Sequence, residues 1–208
     1  MFITFEGING SGKSTQAKML YDFLVSKHKD VVLTKEPGGG GEFCMELRKL
    51  ICQTKDISKI AEILILFAAR KEHLDKLILP SLNEGKIVIC DRYIDSTFAY
   101  QCCDDDAEKY DLVNYIFKKT NCLVPDKTFF IDISVEESEY RLAPLLYSYE
   151  NINNNGYKKF DELKSEHMQK ILDTYHYLAK QNINRIKTIN GLKTKEEIHQ
   201  QIIKELGF

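Results

Sequence analysis

Residues 7–15 read Gly-Ile-Asn-Gly-Ser-Gly-Lys-Ser-Thr, directly after the apolar run Phe2-Ile3-Thr4-Phe5. An apolar stripe at Ala17, Leu20, Tyr21, Leu24 and Val25 follows at helical spacing. The loop satisfies G-x-x-x-x-G-K-[ST] in full and sits where a strand gives way to a helix. Glycines let the backbone N–H groups of Gly7, Ile8, Asn9, Gly10, Ser11 and Gly12 turn inward around phosphate oxygens without a Cβ clash. The following helix aims the positive end of its dipole at the same anion. Lys13 reaches β- and γ-phosphates, the Ser14 hydroxyl suits Mg²⁺, and Thr15 completes the motif. The alternative is a glycine-rich turn that matches by chance, and the strand–loop–helix context argues against it. The feature predicts nucleoside triphosphate binding and leaves the reaction open.

Four more β-rich runs recur along the chain: Val31–Thr34, Ile87–Cys90, Thr128–Ile133 and Ile186–Ile189. Helical patterns separate them. Ile60–Leu79 reads as a long helix stopped by Pro80, and Leu112–Lys119, Leu163–Lys180 and Lys195–Leu206 as later ones, the last capped by Thr194. Alternation of this kind predicts an α/β architecture, a five-stranded parallel sheet flanked by helices on both faces. Ligands of such sheets bind at the carboxyl ends of the strands, which selects the residues after Phe5, Thr34, Cys90 and Ile133.

The 208 residues suit a single domain, and 43% apolar with 29% charged residues argues against disorder. A net charge of −2 gives no general field for nucleic acid or anionic lipid. The longest apolar runs, Ile63–Ala69 and Leu77–Pro80, fall far short of the roughly 20 residues that span a bilayer. The first residues lack the basic region of a secretory signal, and six scattered cysteines without metal spacing read as reduced thiols in the cytoplasm. Ser148–Tyr157 is rich in Asn and reads as a surface excursion.

Several segments in one order narrow the reading: Phe2–Gly7 with the phosphate loop, Glu36-Pro37-Gly38-Gly39, Asp91-Arg92-Tyr93, and Ser96-Thr97-Phe98-Ala99-Tyr100-Gln101. Together they resemble thymidylate kinases of the bacterial type. The match is specific from residue 2 to about residue 101 and looser through Asp161–Ala179. The resemblance implies a three-layer P-loop kinase fold spanning residues 1–208, with a lid at about 138–162. It implies γ-phosphoryl transfer from MgATP to dTMP, giving dTDP and ADP for dTTP supply, by a homodimer with no nucleic-acid or membrane partner.

The resemblance also implies roles for single residues. Arg92 would clamp the acceptor phosphate, and Asp91 would either help hold Mg²⁺ or orient Arg92. Arg70 would contact the nucleotide's base or phosphate, and His73 reads as a helix-packing residue rather than an acid/base group. Phe67 or its neighbour Leu66 would lie against thymine, since Leu66 stands where the family has a stacking Phe. Ser96, Thr97 and Gln101 would line the base site, and the Tyr100 ring would crowd the sugar 2′ position. Glu36 and Pro37 would shape the loop after the second strand. Arg48 either reaches the acceptor phosphate or is a solvated helix residue.

The chain departs from the family at several points. Asn9 replaces an acid, so it accepts a hydrogen bond near the sugar but carries no charge. Gly10 projects no cation, so the lid must supply one, and the lid holds only Arg141, Lys158 and Lys159. Cys102-Cys103-Asp104-Asp105-Asp106 stands where glycines are usual; it reads as a solvated acidic turn, with Mg²⁺ binding as the alternative. Backbone near Asn190-Gly191 would meet adenine. Two further readings stay open: a kinase for a different nucleoside monophosphate, and a nucleotide-binding regulator that turns over poorly.

Overall fold

The structure is a computed structural model that describes residues 1–54, 56–104, 107–149 and 164–208. Each run expected to be a strand is one: β1 (Phe2–Glu6), β2 (Val31–Lys35), β3 (Ile87–Asp91), β4 (Lys127–Asp132) and β5 (Ile186–Asn190). They form a five-stranded sheet in the order β2-β3-β1-β4-β5 with parallel pairings throughout. The helices are α1 (Lys13–Ser26), α2 (Glu42–Gln53), α3 (Lys59–His73), α4 (Leu79–Asn83), α5 (Ile94–Gln101), α6 (Ala107–Lys119), α7 (Val135–Tyr149), α8 (Ser165–Gln181) and α9 (Lys195–Glu205).

Side chains alternate across the sheet, so each strand feeds two cores. Ile3, Phe5, Ile89, Phe129, Ile131 and Ile189 point to the face covered by α1 and α9, where Ala17, Leu20, Leu24, Ile198 and Ile202 meet them. Phe2, Val88, Cys90, Phe130 and Ile186 point to the other face, under α3, α5 and α8. Thr194 caps α9 as expected: its hydroxyl accepts the Glu197 N–H at 3.3 Å, and Glu197 Oε2 accepts the Thr194 N–H at 2.9 Å. A reciprocal cap of this kind is worth about 1 kcal/mol.

The structure departs from the helix readings at Pro80 and adds further helices. Pro80 does not stop the long helix: after α3 the chain makes one wider π-type turn over Leu74–Ile78 and continues as α4. The proline falls in the first turn of α4, where a missing N–H costs little. Three helices that the sequence reading did not assign, α2, α5 and α7, also appear. The expected lid lies only partly within view: its first residues, from Ser138, belong to α7, and residues 150–162, with Lys158 and Lys159, lie outside the described residues.

Candidate active site

β1 ends at Glu6, and the loop Gly7–Gly12 then turns into α1. Gly7 adopts φ of 138°, and a Cβ there would lie 2.6 Å from Ile131 O of β4, so only glycine lets the loop lie this close to the sheet. Gly10 and Gly12 also take left-handed φ values, 73° and 97°. The Lys13 ammonium lies within the loop, donating to Ile8 O at 2.8 Å and Ser11 Oγ at 3.4 Å. Ser14 Oγ donates to Asp91 Oδ2 at the end of β3, and Asp91 Oδ1 is buried with no hydrogen-bond partner.

The residue after β3 is Arg92, at φ of 69°. A left-handed backbone costs a residue with a Cβ about 1–2 kcal/mol. This conformation turns the guanidinium back across the top of the sheet. Nη1 donates to Gly7 O at 3.0 Å, Ser96 Oγ at 3.1 Å and Tyr175 OH at 3.2 Å. Nη2 donates to Asn9 Oδ1 at 2.5 Å and Tyr100 OH at 3.1 Å, and the cation lies 5.0 Å from the Tyr100 ring centroid. These five acceptors are neutral oxygens, so none of the contacts cancels the arginine's charge. Glu6 fixes the frame from below. Its carboxylate accepts the Tyr93 N–H at 2.7 Å, the Ser96 hydroxyl at 2.6 Å and the Tyr175 hydroxyl at 3.2 Å. Burial, aided by nearby Asp95, pushes the Glu6 carboxyl up to about 7, against the pull of Ser96 and Arg92.

Beside Arg92 opens a cavity of about 190 Å³. Asn9, Arg92, Ser96 and Tyr100 line the end next to the phosphate loop. Arg70, Thr97, Gln101 and Leu66 line another part of its wall, and Glu36, Pro37, Arg48 and Cys52 join them from the β2–α2 loop and α2. Arg70 is buried and tightly held. Nε donates to Glu36 Oε2 at 2.8 Å, and Nη2 donates to Thr97 Oγ1 at 2.9 Å and Tyr93 O at 3.2 Å. Phe67 and Tyr93 lay their rings against the guanidinium, each centroid 5.0 Å away. Nη1 remains buried with no hydrogen-bond partner. His73 backs this arrangement with Nδ1 3.0 Å from Glu36 Oε1 and Nε2 2.8 Å from Thr34 Oγ1.

Most of the expected site residues therefore converge at the carboxyl ends of β1, β2 and β3. Of the two residues expected near the base, Leu66 and Phe67, Leu66 lines the cavity and Phe67 does not. One residue is 100° of helix rotation, which turns Phe67 into the core beneath Arg70 and leaves Leu66 on the cavity wall. Arg48 lines the cavity and donates to Pro37 O at 2.7 Å. Arg141 lies on α7 against the loop, donating Nε to Glu137 at 2.6 Å, Nη1 to Gly10 O at 3.4 Å and Nη2 to Gly191 O at 2.8 Å. Cys103 and Asp104 of the Cys102–Asp104 turn and His167 of α8 bring their polar atoms within 4.8 Å of one another. The Lys170 ammonium lies 3.9 Å from Asp104, and burial with nearby Asp104 raises the Cys103 thiol, so both sites are poor partners for a cation. Sequence reading assigned no role to Glu6, Tyr175 or Glu62. Each acts across 39 to 169 residues of chain, at spacings no local motif records.

A sequence model of the family "Thymidylate kinase" matches residues 5–202. A thymidylate kinase of Wolbachia pipientis wMel is 38% identical over 210 residues, covering 99% of this chain and 100% of that protein. One of Rickettsia typhi is 39% identical over 208 residues, covering 99% and 96%. The crystal structure of thymidylate kinase from Ehrlichia chaffeensis superposes with a TM-score of 0.75 at 34% identity, covering 99% of this chain and 98% of the other. On its sequence and its fold alike, the chain belongs to the thymidylate kinase family.

Proposed function

We propose that the chain transfers the γ-phosphoryl group of ATP to dTMP, giving dTDP and ADP. The observation that carries the reading is the contrast between two arginines in one cavity. Arg92 makes its side-chain hydrogen bonds to neutral oxygens beside the phosphate loop, so its charge suits an anionic phosphate. Arg70 is paired with Glu36 and keeps its buried Nη1 amino group without a partner, which suits a neutral carbonyl such as that of a pyrimidine. A nucleoside monophosphate laid between them has its phosphate at the donor loop and its base away from it.

The acceptor phosphate is largely ionised at neutral pH, with a second pKa of about 6, so the chemistry needs alignment and charge stabilisation more than a base. The loop amides of Gly7–Gly12 and Lys13 would hold the β- and γ-phosphates, with Arg92 holding the acceptor oxygen in line. Arg92 also grips Asn9 Oδ1 and Gly7 O, which ties the acceptor site to the donor loop. Ser14 and Asp91 present a hydroxyl and a carboxylate with an unpartnered buried oxygen, a hard-oxygen set that fits Mg²⁺. Ser14 and Asp91 would hold the ion, whose chemistry when bound is to offset the negative charge of the phosphates. Arg141 braces the loop against the turn after β5, and Arg141, Lys158 or Lys159 would supply the lid cation for the migrating group. Leu66 would give the base an aliphatic contact, with Thr97 and Gln101 facing its polar edge and Tyr100 beside the sugar.

We further propose a homodimer formed through the exposed apolar residues of α2 and α3, Phe43, Leu50, Ile60 and Leu64, working in the cytoplasm, where six free thiols stay reduced. Sedimentation at micromolar concentration should give about twice the chain mass; a monomer would remove the dimer from the account. The substrate assignment is tested by ADP release with dTMP, dUMP, dCMP, dGMP and dAMP at matched concentrations. dTMP should be turned over fastest, and another acceptor ahead of it would end the assignment.

A further inference from the structure

Gln101 carries an amide with two unlike ends, and the cavity wall alone does not say which one a ligand meets. One is an N–H donor and the other an acceptor, and rotation about the last bond of the side chain exchanges them. The neighbour decides. Gln101 Nε2 donates to Glu62 Oε1 at 3.2 Å, with Glu62 fully buried and Gln101 3% exposed. A carboxylate only accepts, so a flipped amide would set oxygen against oxygen where no water can intervene.

The helices are arranged to make this contact. Thr97 and Gln101 are one turn apart on α5, and Arg70 and Glu62 are two turns apart on α3. Thr97 takes Arg70 and Gln101 meets Glu62 across the same helix pair. We propose that Glu62 is a specificity-determining positioning residue: it locks the Gln101 amide so that its oxygen, never its N–H, is offered to the base. This rests on reading the cavity as the site of a pyrimidine monophosphate.

The consequence is a two-point pattern. With Gln101 Nε2 committed to Glu62, a base in the cavity would meet Gln101 Oε1 as acceptor and the unpartnered Arg70 Nη1 as donor. A uracil-type ring presents the complement, a C4 carbonyl beside an N3–H. Cytosine presents the reverse, an amino group beside a bare N3, and so meets both groups with the wrong sign. Glu62→Gln replaces the acceptor-only carboxylate with an amide of the same shape. Either orientation of Gln101 then finds a partner, and one of cytosine's two mismatches disappears.

The experiment measures kcat/KM for dTMP and for dCMP at matched ATP in three proteins: the natural chain, Glu62→Gln, and the exchange Glu62→Gln/Gln101→Glu. Glu62→Gln should raise the dCMP-to-dTMP ratio by about tenfold or more, the scale of one mismatched buried hydrogen bond. The exchange should lower that ratio again, because a carboxylate at 101 offers only acceptors. Where turnover is too slow to read, the same ratio is taken from calorimetric binding of the two nucleotides. A ratio within twofold of the natural chain's in Glu62→Gln overturns the proposal, whatever happens to absolute activity. If the natural chain accepts neither nucleotide, the cavity reading falls instead. A natural preference for dTMP with an unmoved ratio removes only the role of Glu62.

Discussion

Replacing Arg70 with Met separates what this residue does for stability from what it does for the substrate. The Arg70–Glu36 pair is buried, at 2.8 Å, with side chains 2% and 7% exposed. At an effective dielectric constant of about 20, two unit charges at that distance attract by ~6 kcal/mol, much of it offset by desolvation. Removing one partner leaves a buried charge alone and costs about 3–5 kcal/mol. His73 Nδ1 stays 3.0 Å from Glu36, so the lower end of that range is expected. The double variant Arg70→Met/Glu36→Gln leaves no unpaired charge and should regain about 2 kcal/mol of the loss. Turnover should behave differently. A charge-assisted hydrogen bond to the base is worth about 2–3 kcal/mol, so kcat/KM for dTMP should fall about 30- to 150-fold in the single and the double variant alike. Urea unfolding with an unchanged slope reads the first quantity and initial rates the second. A single variant that loses under about 1 kcal/mol would refute the buried-pair argument. A double variant that regains turnover along with stability would refute the base contact.

Three further outcomes follow from the same geometry. Because the Glu6 carboxyl is raised from 4.5 to about 7, its contribution to stability is full below about pH 4.5 and is lost as the pH rises through 7. Glu6→Gln should remove up to about 3 kcal/mol of that fall; urea midpoints whose pH dependence matches the natural chain's would contradict it. Lys13→Ala should lower kcat by about 10²–10³ in a coupled ADP assay while dTMP binding, read by calorimetry, changes less than twofold. Arg185 pairs with buried Asp95 through both nitrogens, at 2.7 and 2.8 Å, so Arg185→Met should cost about 3–5 kcal/mol in urea unfolding, and a loss under about 1 kcal/mol would mean the pair is dispensable.

The strands and the phosphate loop were legible because their signals are local. β3 is a continuous apolar run, and the loop is one uninterrupted motif between a strand and a helix. α5 was hidden for the opposite reason: seven of its eight residues are buried, so no polar face alternates with an apolar one. Pro80 misled because a proline ends a helix only where its N–H is needed, and the π-type turn before it resets the hydrogen-bond register. In the candidate site, motifs drew attention to Arg92 and Arg70, which line the cavity, whereas the choice between Leu66 and Phe67 needed the rotation of α3 to decide which one faces it. Glu62 and Tyr175 gave no signal, and Glu6 stood in the Phe2–Gly7 segment without a role, since an acid in a strand, an acid on a helix and a tyrosine on another read as ordinary until the fold joins them. Tyr175 stacks on Phe130 and meets Ser96 at 2.9 Å, contacts that only the packing of α8 on the sheet creates.

The most direct measurement is a crystal structure with a bisubstrate analogue that joins adenosine to thymidine through a phosphate chain, grown with Mg²⁺. The adenosine-side phosphates should lie inside the Gly7–Gly12 loop, the phosphate nearest thymidine on Arg92, and the thymine C4 oxygen on Arg70 Nη1. A phosphate chain that bypasses Arg92, or a thymine ring outside the cavity walled by Arg70 and Gln101, would contradict this arrangement.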